Sequence, residues 1–419
     1  MKQIHVEEVC YKILILNLYG RWKVQEVVFF FLSLCLFSLP SIGSDMAFAG
    51  DERGYAFTCD WFDNQSQSIR KFTLTYYAQE KSVEMWDLRG KRMFLKKCPY
   101  AQLRMGDLFP GSTVTVFNRQ LNITDYGNSY TRQVLGTAQQ RTVGIIYSNS
   151  TQEAGKILDV ASVEGFTLGS LKMTSMSDRA AMAFAQQSGK PVTREIIQGL
   201  SGGSIIVFEL LARKSVLAWQ NLIDMRQWGA FVHGSSSVDA AENEYGFFFG
   251  EGSNQRFPHS PKLRDCTLCL IKPHVLREGK AGKVLRAIQD AGFVVTAAGI
   301  FHLDRPAADE FLEVYQGVLA DIEYNATTVE LTSGRLLALE LQSSENASVG
   351  SKGEQVDVVT AFRDLCGPYP VHIAKTIRAD SLRAQFGTTV SENAVHCTDL
   401  KDDGVVECEY FFGILGGSY

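Results

Sequence analysis

The sequence predicts an α+β protein in which a small β-rich domain precedes two copies of a unit that mixes strands and helices. Three observations carry this prediction. Short runs of β-branched and aromatic residues fill residues 53–136, and a pattern of residues then occurs twice after residue 140. Within each copy, strand-like and helical segments follow one another in mixed order. Such an order favours an open sheet with helices packed on one side.

Composition is that of a folded, multi-domain protein. The chain has 419 residues, of which 45% are hydrophobic and 21% are charged, so two to four domains are expected. A formal net charge of -5 argues against a large nucleic-acid-binding surface, and no nucleic-acid partner is predicted. The nine cysteines are odd in number and irregularly spaced, which argues against a disulfide framework and suits a reducing compartment.

Residues 1–45 leave two interpretations open. The apolar run Val27–Leu39 is shorter than the ~20 residues that a membrane-spanning helix needs. Basic residues precede it and an A-x-A pattern follows at 47–49, as in a secretory signal peptide. Patterned sequence begins at Met46. The segment is therefore either an extension absent from the working protein, or a hydrophobic targeting segment that makes the protein secreted or membrane-tethered.

The first patterned segment, residues 46–138, has the residues of short strands. Runs such as Phe72–Tyr77 and Thr113–Phe117 combine β-branched and aromatic side chains, and turn-forming residues such as Gly90 separate them. A domain of this size and pattern predicts a small sandwich or barrel. No nucleophile and base stand at a recognisable spacing, so we expect this domain to serve in docking.

Two landmarks establish the internal repeat. The segment Ala-Gly-Lys-Ile-Leu at Ala154 recurs as Ala-Gly-Lys-Val-Leu at Ala281, 127 residues later. The segment His-Gly-Ser at His233 recurs as His-Cys-Thr at His396, 163 residues later. The first copy is thus 36 residues shorter between these landmarks. The predicted boundaries are 141–250 for the first copy, 251–261 for a linker and 262–415 for the second copy.

The second copy contains the residue types that phosphoryl transfer requires, since that reaction depends on positioning and charge neutralisation. Lys272, Arg363 and Arg383 supply cations from separate segments, and His396 is a candidate nucleophile. Taken singly, each residue is as well explained by an ordinary surface or structural role. No G-x-x-x-x-G-K-[ST] segment occurs, which argues against a P-loop enzyme.

Taken together, these residues resemble the nucleoside diphosphate kinase family across residues 266–412. Four motifs of the family occur in order, and Glu407 lies 11 residues after the histidine, as the family requires. The motifs are Leu270-Ile271-Lys272-Pro273, Arg363-Asp364-Leu365-Cys366-Gly367, Leu382-Arg383-Ala384-Gln385-Phe386-Gly387 and Asn393-Ala394-Val395-His396-Cys397-Thr398-Asp399.

This resemblance implies two ferredoxin-like (β-α-β-β-α-β) domains and a ping-pong reaction between nucleoside tri- and diphosphates. His396 would become phosphorylated by ATP, and Glu407 would fix its imidazole ring. The implied phosphate and nucleotide ligands are Lys272, Arg363, Arg383 and Asn393, with Asn393 and Lys272 reaching the ribose. Mg²⁺ would bridge the phosphates as a cofactor, and no metal site made of protein ligands is expected.

The chain also departs from the family pattern. The active-site tyrosine of the family aligns with Leu312, although Tyr315 lies one turn further on. Tyr324 is the best substitute for the phenylalanine that stacks on the base. Tyr369 stands near the position of an expected threonine. These departures leave the nucleophile in place, and we expect them to lower the catalytic rate.

The first copy resembles the same family but has lost most of its site. Tyr147 stands where the lysine is expected, and the stretch that would hold the second arginine is missing. His233 and Glu244 remain. Without phosphate-binding cations a histidine is a poor phosphate acceptor, so the first copy is predicted to be a structural partner of the second.

The β domain, with Asp60-Trp61-Phe62-Asp63 and Asp125-Tyr126-Gly127, resembles the domain that precedes two kinase-like copies in a ciliary member of this family. The resemblance implies a place in the cytoplasm or cytoskeleton, at the axoneme of a cilium or flagellum. Microtubules, axonemal proteins or the γ-tubulin complex would be partners. The alternative is a structural, microtubule-associated protein with little kinase turnover, and the oligomeric state stays open.

Overall fold

The computed structural model describes residues 54–63, 66–135, 140–189, 191–343 and 357–417. Both interpretations of residues 1–45 therefore concern a segment outside the described residues. None of the helices in these ranges combines the length and the hydropathy that crossing a bilayer requires.

The β domain is one antiparallel sheet of six strands followed by a helix. Its elements are β1 (Tyr55–Asp63), β2 (Ser68–Tyr77), β3 (Ser82–Asp87), β4 (Arg92–Pro99), β5 (Thr113–Val116), β6 (Arg119–Tyr126) and α1 (Ser129–Leu135). The spatial order is β4-β3-β2-β1-β6-β5. Strands β4 and β5 are the edges, so the six strands form one continuous sheet; the domain is β-rich, as the sequence predicts, and the small sandwich or barrel stays a prediction. Tight turns between chain neighbours favour this continuous antiparallel pairing.

Both kinase-like copies contain four strands. The first copy has β7 (Gln140–Ile146), α2 (Ala154–Val163), β8 (Thr167–Ser175), α3 (Asp178–Gln187), α4 (Arg194–Ser201), β9 (Ser204–Ala212), α5 (Ser215–Arg226), β10 (Val232–Gly234) and α6 (Val238–Phe249). The second has β11 (Thr267–Ile271), α8 (Pro273–Arg277), α9 (Ala281–Asp290), β12 (Phe293–His302), α10 (Arg305–Phe311), α11 (Asp321–Leu331), β13 (Arg335–Ser343), α12 (Val358–Cys366), α13 (Val371–Ile377), α14 (Leu382–Phe386), β14 (Val395–Cys397) and α15 (Asp403–Glu409). Helix α7 (Ser253–Arg256) lies between the copies.

The eight strands of the two copies form one antiparallel sheet in the order β10-β7-β9-β8-β12-β13-β11-β14. Counted within a copy, each half has its fourth, first, third and second strands side by side, which is the ferredoxin-like order. The halves meet where Gly299 of β12 pairs with Lys172 of β8. The two copies therefore associate within the chain, edge to edge through their second strands.

The predicted linker, 251–261, is more ordered than its polar composition indicates. It contains helix α7, and Thr174 of β8 pairs with His259 as an isolated antiparallel bridge. The Thr174 hydroxyl also donates a hydrogen bond of 2.6 Å to the Pro258 carbonyl. The segment thus packs along the sheet near the junction of the copies.

Helices α2 and α9 cross at two glycines. A Cβ atom built at Gly282 would meet the backbone of Leu158 and Asp159, and one at Gly155 would meet the backbone of Leu285 and Arg286. Glycine allows the two helix backbones to approach directly, and it occupies equivalent positions in both copies. The repeated Ala-Gly-Lys motif therefore encodes the contact that joins the copies.

We expect Gly282→Ala to destabilise the protein by ~1–3 kcal/mol, because overpacking against a backbone forces the helices apart. Alanine normally stabilises a helix interior by ~1 kcal/mol relative to glycine. Gly246 of α6, where an added Cβ meets nothing within 4 Å, is the matched control. Denaturant unfolding should show Gly246→Ala at or above wild type and Gly282→Ala below it. Equal stabilisation by both substitutions would contradict this crossing.

Candidate active site

His396 is held on an edge strand by a carboxylate. It lies on β14 opposite Leu270 of β11, and its Nε2 is 3.2 Å from Oε2 of Glu407 on α15. The Thr398 hydroxyl donates to the same oxygen at 2.8 Å. Because the carboxylate accepts the Nε2 proton, Nδ1 carries the free lone pair. The ring is thereby oriented as a nucleophile through Nδ1.

The imidazole faces a cavity of about 870 Å³. Lys272, Arg363 and Arg383, three of the residues singled out from the sequence, also line this cavity. They come from the junction of β11 and α8, from α12 and from α14, which the fold brings together around β14. Arg378 lines the cavity as well and forms a 2.6 Å ion pair with Asp364. The sequence pattern did not single out Arg378, since it lies in no family motif.

Lys272 is a buried cation at the start of helix α8. Only 2% of the residue is exposed, and its Nζ donates a hydrogen bond of 2.8 Å to the Ser391 carbonyl. Burial lowers the pKa of Lys272 to about 7, and the Arg383 guanidinium acts in the same direction, while the Glu330 carboxylate opposes them. The lysine is thus partly neutral near neutral pH until an anion binds beside it.

We expect nucleotide binding to take up a proton at pH 8. An anionic polyphosphate binds preferentially to the protein in which Lys272 is charged. The apparent affinity for the nucleotide therefore falls by roughly tenfold per pH unit above about pH 7. The decrease ends at the pH at which Lys272 of the nucleotide complex also loses its proton. Calorimetric titration with ADP in two buffers of different ionisation enthalpy measures the uptake. A Lys272→Met variant should lack the part of the proton uptake that belongs to Lys272. Identical proton uptake in both proteins would contradict the assignment.

Arg383 is buried and held by backbone oxygens. Its Nη1 donates to the Gly367 carbonyl at 2.7 Å, and Nη2 donates to the Val395 carbonyl at 3.3 Å. The guanidinium also lies 5.4 Å from the ring centroid of Tyr369. These contacts hold the guanidinium next to β14, where it can also bind an incoming phosphate.

Arg363 is more exposed and lies in the last turn of α12. Its Nη1 donates to the Asp399 carbonyl at 2.8 Å, and its Nε is 3.5 Å from the Asp399 carboxylate. Half of its side chain is exposed, at 51%. The contact is therefore weak in water, and the side chain is available to a ligand.

Asn393 is fully buried and does not itself line the cavity, although its neighbour Tyr369 does. Its Nδ2 donates to the Tyr369 carbonyl at 3.3 Å, whereas its Oδ1 has no partner among the described residues. A buried acceptor without a partner costs free energy. The atom would accept a hydrogen bond from a ligand hydroxyl only if the ligand reached it past Tyr369.

Tyr324, the predicted base-stacking residue, does not line this cavity. It lines a separate depression with Asp309 and Glu313, and its hydroxyl is 3.5 Å from the Asp309 carboxylate. The sequence position was therefore misleading, because helix α11 directs this ring toward α10. The aromatic residues that line the cavity are Tyr315 and Tyr369.

Tyr315 lies close to the position at which the family has its active-site tyrosine. Leu312 is buried, but a short 3₁₀ turn, Glu313–Tyr315, follows it and brings the Tyr315 ring to 6.1 Å from that of His396. Burial raises the pKa of Tyr315, and the nearby Glu407 and Asp399 carboxylates raise it further. A phenol thus remains beside the histidine, one turn later than the alignment places it.

The first copy retains the histidine and its carboxylate in a closed environment. His233 Nε2 is 3.0 Å from Glu244, and the Ser235 hydroxyl donates to Glu244 at 2.7 Å. The His233 side chain is only 1% exposed, and the Phe184 ring packs against it at 5.2 Å. The described part of this copy also lacks counterparts of α13 and α14, because the chain passes from α5 to β10 within a few residues.

Comparisons with known proteins agree with this architecture. Residues 49–137 match the model described as nucleoside diphosphate kinase 7 N-terminal PH domain, and residues 265–414 match the nucleoside diphosphate kinase model. Nucleoside diphosphate kinase homolog 7 from Rattus norvegicus is 36% identical, covering 86% of this chain and 93% of the relative.

Two further similarities were found. The Mus musculus homolog 7 is 35% identical, covering 88% of this chain and 95% of the relative. A crystal structure of the Aquifex aeolicus nucleoside diphosphate kinase, at 28% identity and a TM-score of 0.30, covers 36% of this chain and 96% of that one. With a PH-like domain, a kinase domain and similarity over most of its length to homolog 7, this chain belongs to the nucleoside diphosphate kinase family.

Proposed function

We propose that the second copy is an active nucleoside diphosphate kinase, which transfers the γ-phosphate of a nucleoside triphosphate to a diphosphate through phosphorylated His396. The orientation of the His396 imidazole is the observation that carries the proposal. Glu407 holds Nε2 at 3.2 Å, and the imidazole lines the same cavity as Lys272, Arg363 and Arg383. A nucleophile and three cations in one cavity are what in-line phosphoryl transfer needs.

Each residue has a distinct role in this proposal. Nδ1 of His396 attacks the γ-phosphorus, and the bond to the bridging oxygen of the diphosphate breaks. Glu407 compensates the positive charge that develops on the imidazolium. Lys272 and Arg383 stabilise the equatorial oxygens from buried positions, where their electrostatic interactions are strongest. The reverse sequence with a different diphosphate completes the ping-pong cycle.

The rest of the cavity suits a nucleoside. Asn393 is assigned to the ribose by resemblance to the family; it lies behind the cavity-lining Tyr369, and its Oδ1 has no partner among the described residues. Val318 and Ile377 line the cavity and are 76% and 65% exposed. They therefore offer an apolar contact to the base but no hydrogen bond that would distinguish one base from another. Mg²⁺ would arrive as part of the nucleotide substrate, since the cavity carboxylates of Asp364 and Asp399 are paired with arginines.

Phosphate transfer from labelled ATP tests the proposal directly. The full chain is incubated with γ-labelled ATP and Mg²⁺, freed of nucleotide, and then treated with GDP. We expect acid-labile label on His396 that passes to GDP. A folded protein that takes up no label would contradict the proposal, and label that does not move to GDP would contradict a ping-pong reaction.

A second candidate function is docking to microtubules through the β domain, within a cilium or flagellum. The β3–β4 hairpin carries the observation that favours it. Trp86 pairs with Met93 across the two strands, and both are exposed, at 41% and 42%. Basic residues follow Trp86 along the turn and β4, and no acidic residue occurs between Leu88 and Lys97. The basic residues are Arg89, Lys91, Arg92, Lys96 and Lys97. An apolar strip with basic flanks fits an acidic partner surface such as that of a microtubule.

Co-sedimentation of the full chain with microtubules tests this candidate. We expect Lys91→Glu with Lys96→Glu to abolish pelleting at physiological salt, since both exposed side chains reverse their charge. Lys283→Glu, on an exposed position of α9, is the control. A His396→Gln variant should still pellet. Unchanged pelleting of the double variant would contradict docking through this hairpin.

A further inference from the structure

Three buried cysteines meet directly behind the candidate nucleophile. Cys397 follows His396 on β14 and lies opposite Cys269 of β11 in the strand register. Cys366 is the last residue of α12; it shares a buried cluster with Cys397 and Cys269, and its thiol interacts with that of Cys397. Two interacting thiols therefore come from different elements, with a third cysteine on the neighbouring strand.

Cys397 is distinguished from the other described cysteines by its position in the wall of the cavity. It lines the cavity that contains His396, whereas no other cysteine in the described ranges does so. Its exposed fraction is 3%, so a reagent that reacts with it has to be small. A nucleotide in the cavity would cover it.

The surroundings of Cys397 favour the thiolate. Arg383 Nη2 donates to its Sγ at 3.5 Å. The hydrogen bond from Cys366 lowers the pKa of Cys397 to about 6, with Arg383 and His396 adding to the effect against burial. Burial raises the pKa of Cys366 and of Cys269 instead. Arg383 thus favours the thiolate form of Cys397, which lines the cavity, whereas burial favours the thiol form of Cys366; this is the arrangement of a reactive and a resolving cysteine.

We propose that Cys397 is an oxidation site of this protein and that Cys366 resolves it to a disulfide, with hydrogen peroxide as the oxidant. The Cys397 thiolate attacks one peroxide oxygen, the O–O bond breaks, and the leaving hydroxide takes a proton to become water. Cys366 Sγ then attacks the sulfenic sulfur. The S–S bond forms, the S–O bond breaks, and a second water leaves with the Cys366 proton. Two electrons pass from the sulfur pair to the peroxide.

The disulfide would change the phosphate-binding groups. It would tie the end of α12, three residues after Arg363, to the strand that carries His396. It would also remove the anionic partner of Arg383. The chemistry at sulfur is independent of the proposed kinase activity, but a loss of phosphoryl transfer on oxidation rests on that proposed function.

Peptide mapping of the full chain tests the proposal without an activity assay. Reduced protein is treated with a small excess of hydrogen peroxide, remaining thiols are alkylated, and digests are analysed by mass spectrometry. We expect a Cys366–Cys397 cross-linked peptide that dithiothreitol removes. In Cys366→Ala, a sulfenic acid at Cys397 should instead be trapped by dimedone. Cys408→Ala, buried outside the cavity, should leave the cross-link unchanged.

Two outcomes would overturn the proposal. One is a Cys397 that stays reduced while half-buried Cys98 is oxidised. The other is cross-linking of Cys397 to any cysteine other than Cys366. Addition of ADP separates the two proposals, because nucleotide in the cavity should slow oxidation of Cys397 at least about tenfold at tenfold saturation. Cross-linking that ADP does not slow would support the redox pair and contradict nucleotide binding in the cavity.

Discussion

His396→Gln is expected to lower phosphoryl transfer by a factor of at least about 10³, because the variant lacks the imidazole that forms the covalent intermediate. Glutamine keeps a donor toward Glu407 and roughly fills the space between Phe311 and Tyr315, whose rings lie 5.1 and 6.1 Å from the imidazole. The loss should therefore appear in kcat and in phosphohistidine formation, without a comparable loss of stability. Rates of γ-phosphate exchange between ATP and GDP measure it.

The chain supplies two histidine controls for this experiment. His233 has the same carboxylate partner arrangement in the first copy but is closed off from solvent at 1% exposure, so His233→Gln should leave transfer unchanged if the protein folds. His372 is exposed on α13, and its replacement should have no effect. Phosphate labelling of His396→Gln at the wild-type level would refute His396 as the nucleophile.

Lys272→Met is expected to lower kcat/KM by ~10²–10³, the usual loss when one buried group that stabilises transition-state charge is removed. Methionine resembles the lysine chain in length and shape, so the main change is the loss of the charge and of the hydrogen bond to Ser391. Steady-state kinetics over a range of ATP concentrations would separate weaker binding from slower chemistry. Lys283→Met, at an exposed position of α9, should keep the wild-type rate.

The same substitution should stabilise the empty protein. Because burial lowers the pKa of Lys272 from its usual value to about 7, the unfolded chain binds this proton more tightly than the folded one. Wild-type stability therefore rises with pH between about 7 and 10 relative to the variant. We expect Lys272→Met to be more stable by on the order of 2 kcal/mol at pH 6, with the difference narrowing toward pH 10. A variant that is less stable than wild type at pH 6 would contradict the buried, desolvated position.

Two tyrosines show where sequence reasoning about the site is limited. Tyr324 has the residue type expected to stack on a base, yet its ring contacts Asp309 outside the cavity. Tyr315 lies off the aligned position but approaches His396 through a 3₁₀ turn. Side-chain direction depends on helix phase and on the geometry of short turns, which the spacing of a motif does not specify.

The sequence by itself determined the order of the three domains, the repeat, and the segments that supply Lys272, Arg363, Arg383 and His396. Strand and helix patterns are local, and motif residues keep their spacing along the chain. Only the tertiary structure decided that the copies pair with each other through α2, α9 and the β8–β12 edge. It also decided which side chains reach the cavity and that Cys366 meets Cys397. Such contacts join residues far apart in the chain, and packing rather than local propensity selects them.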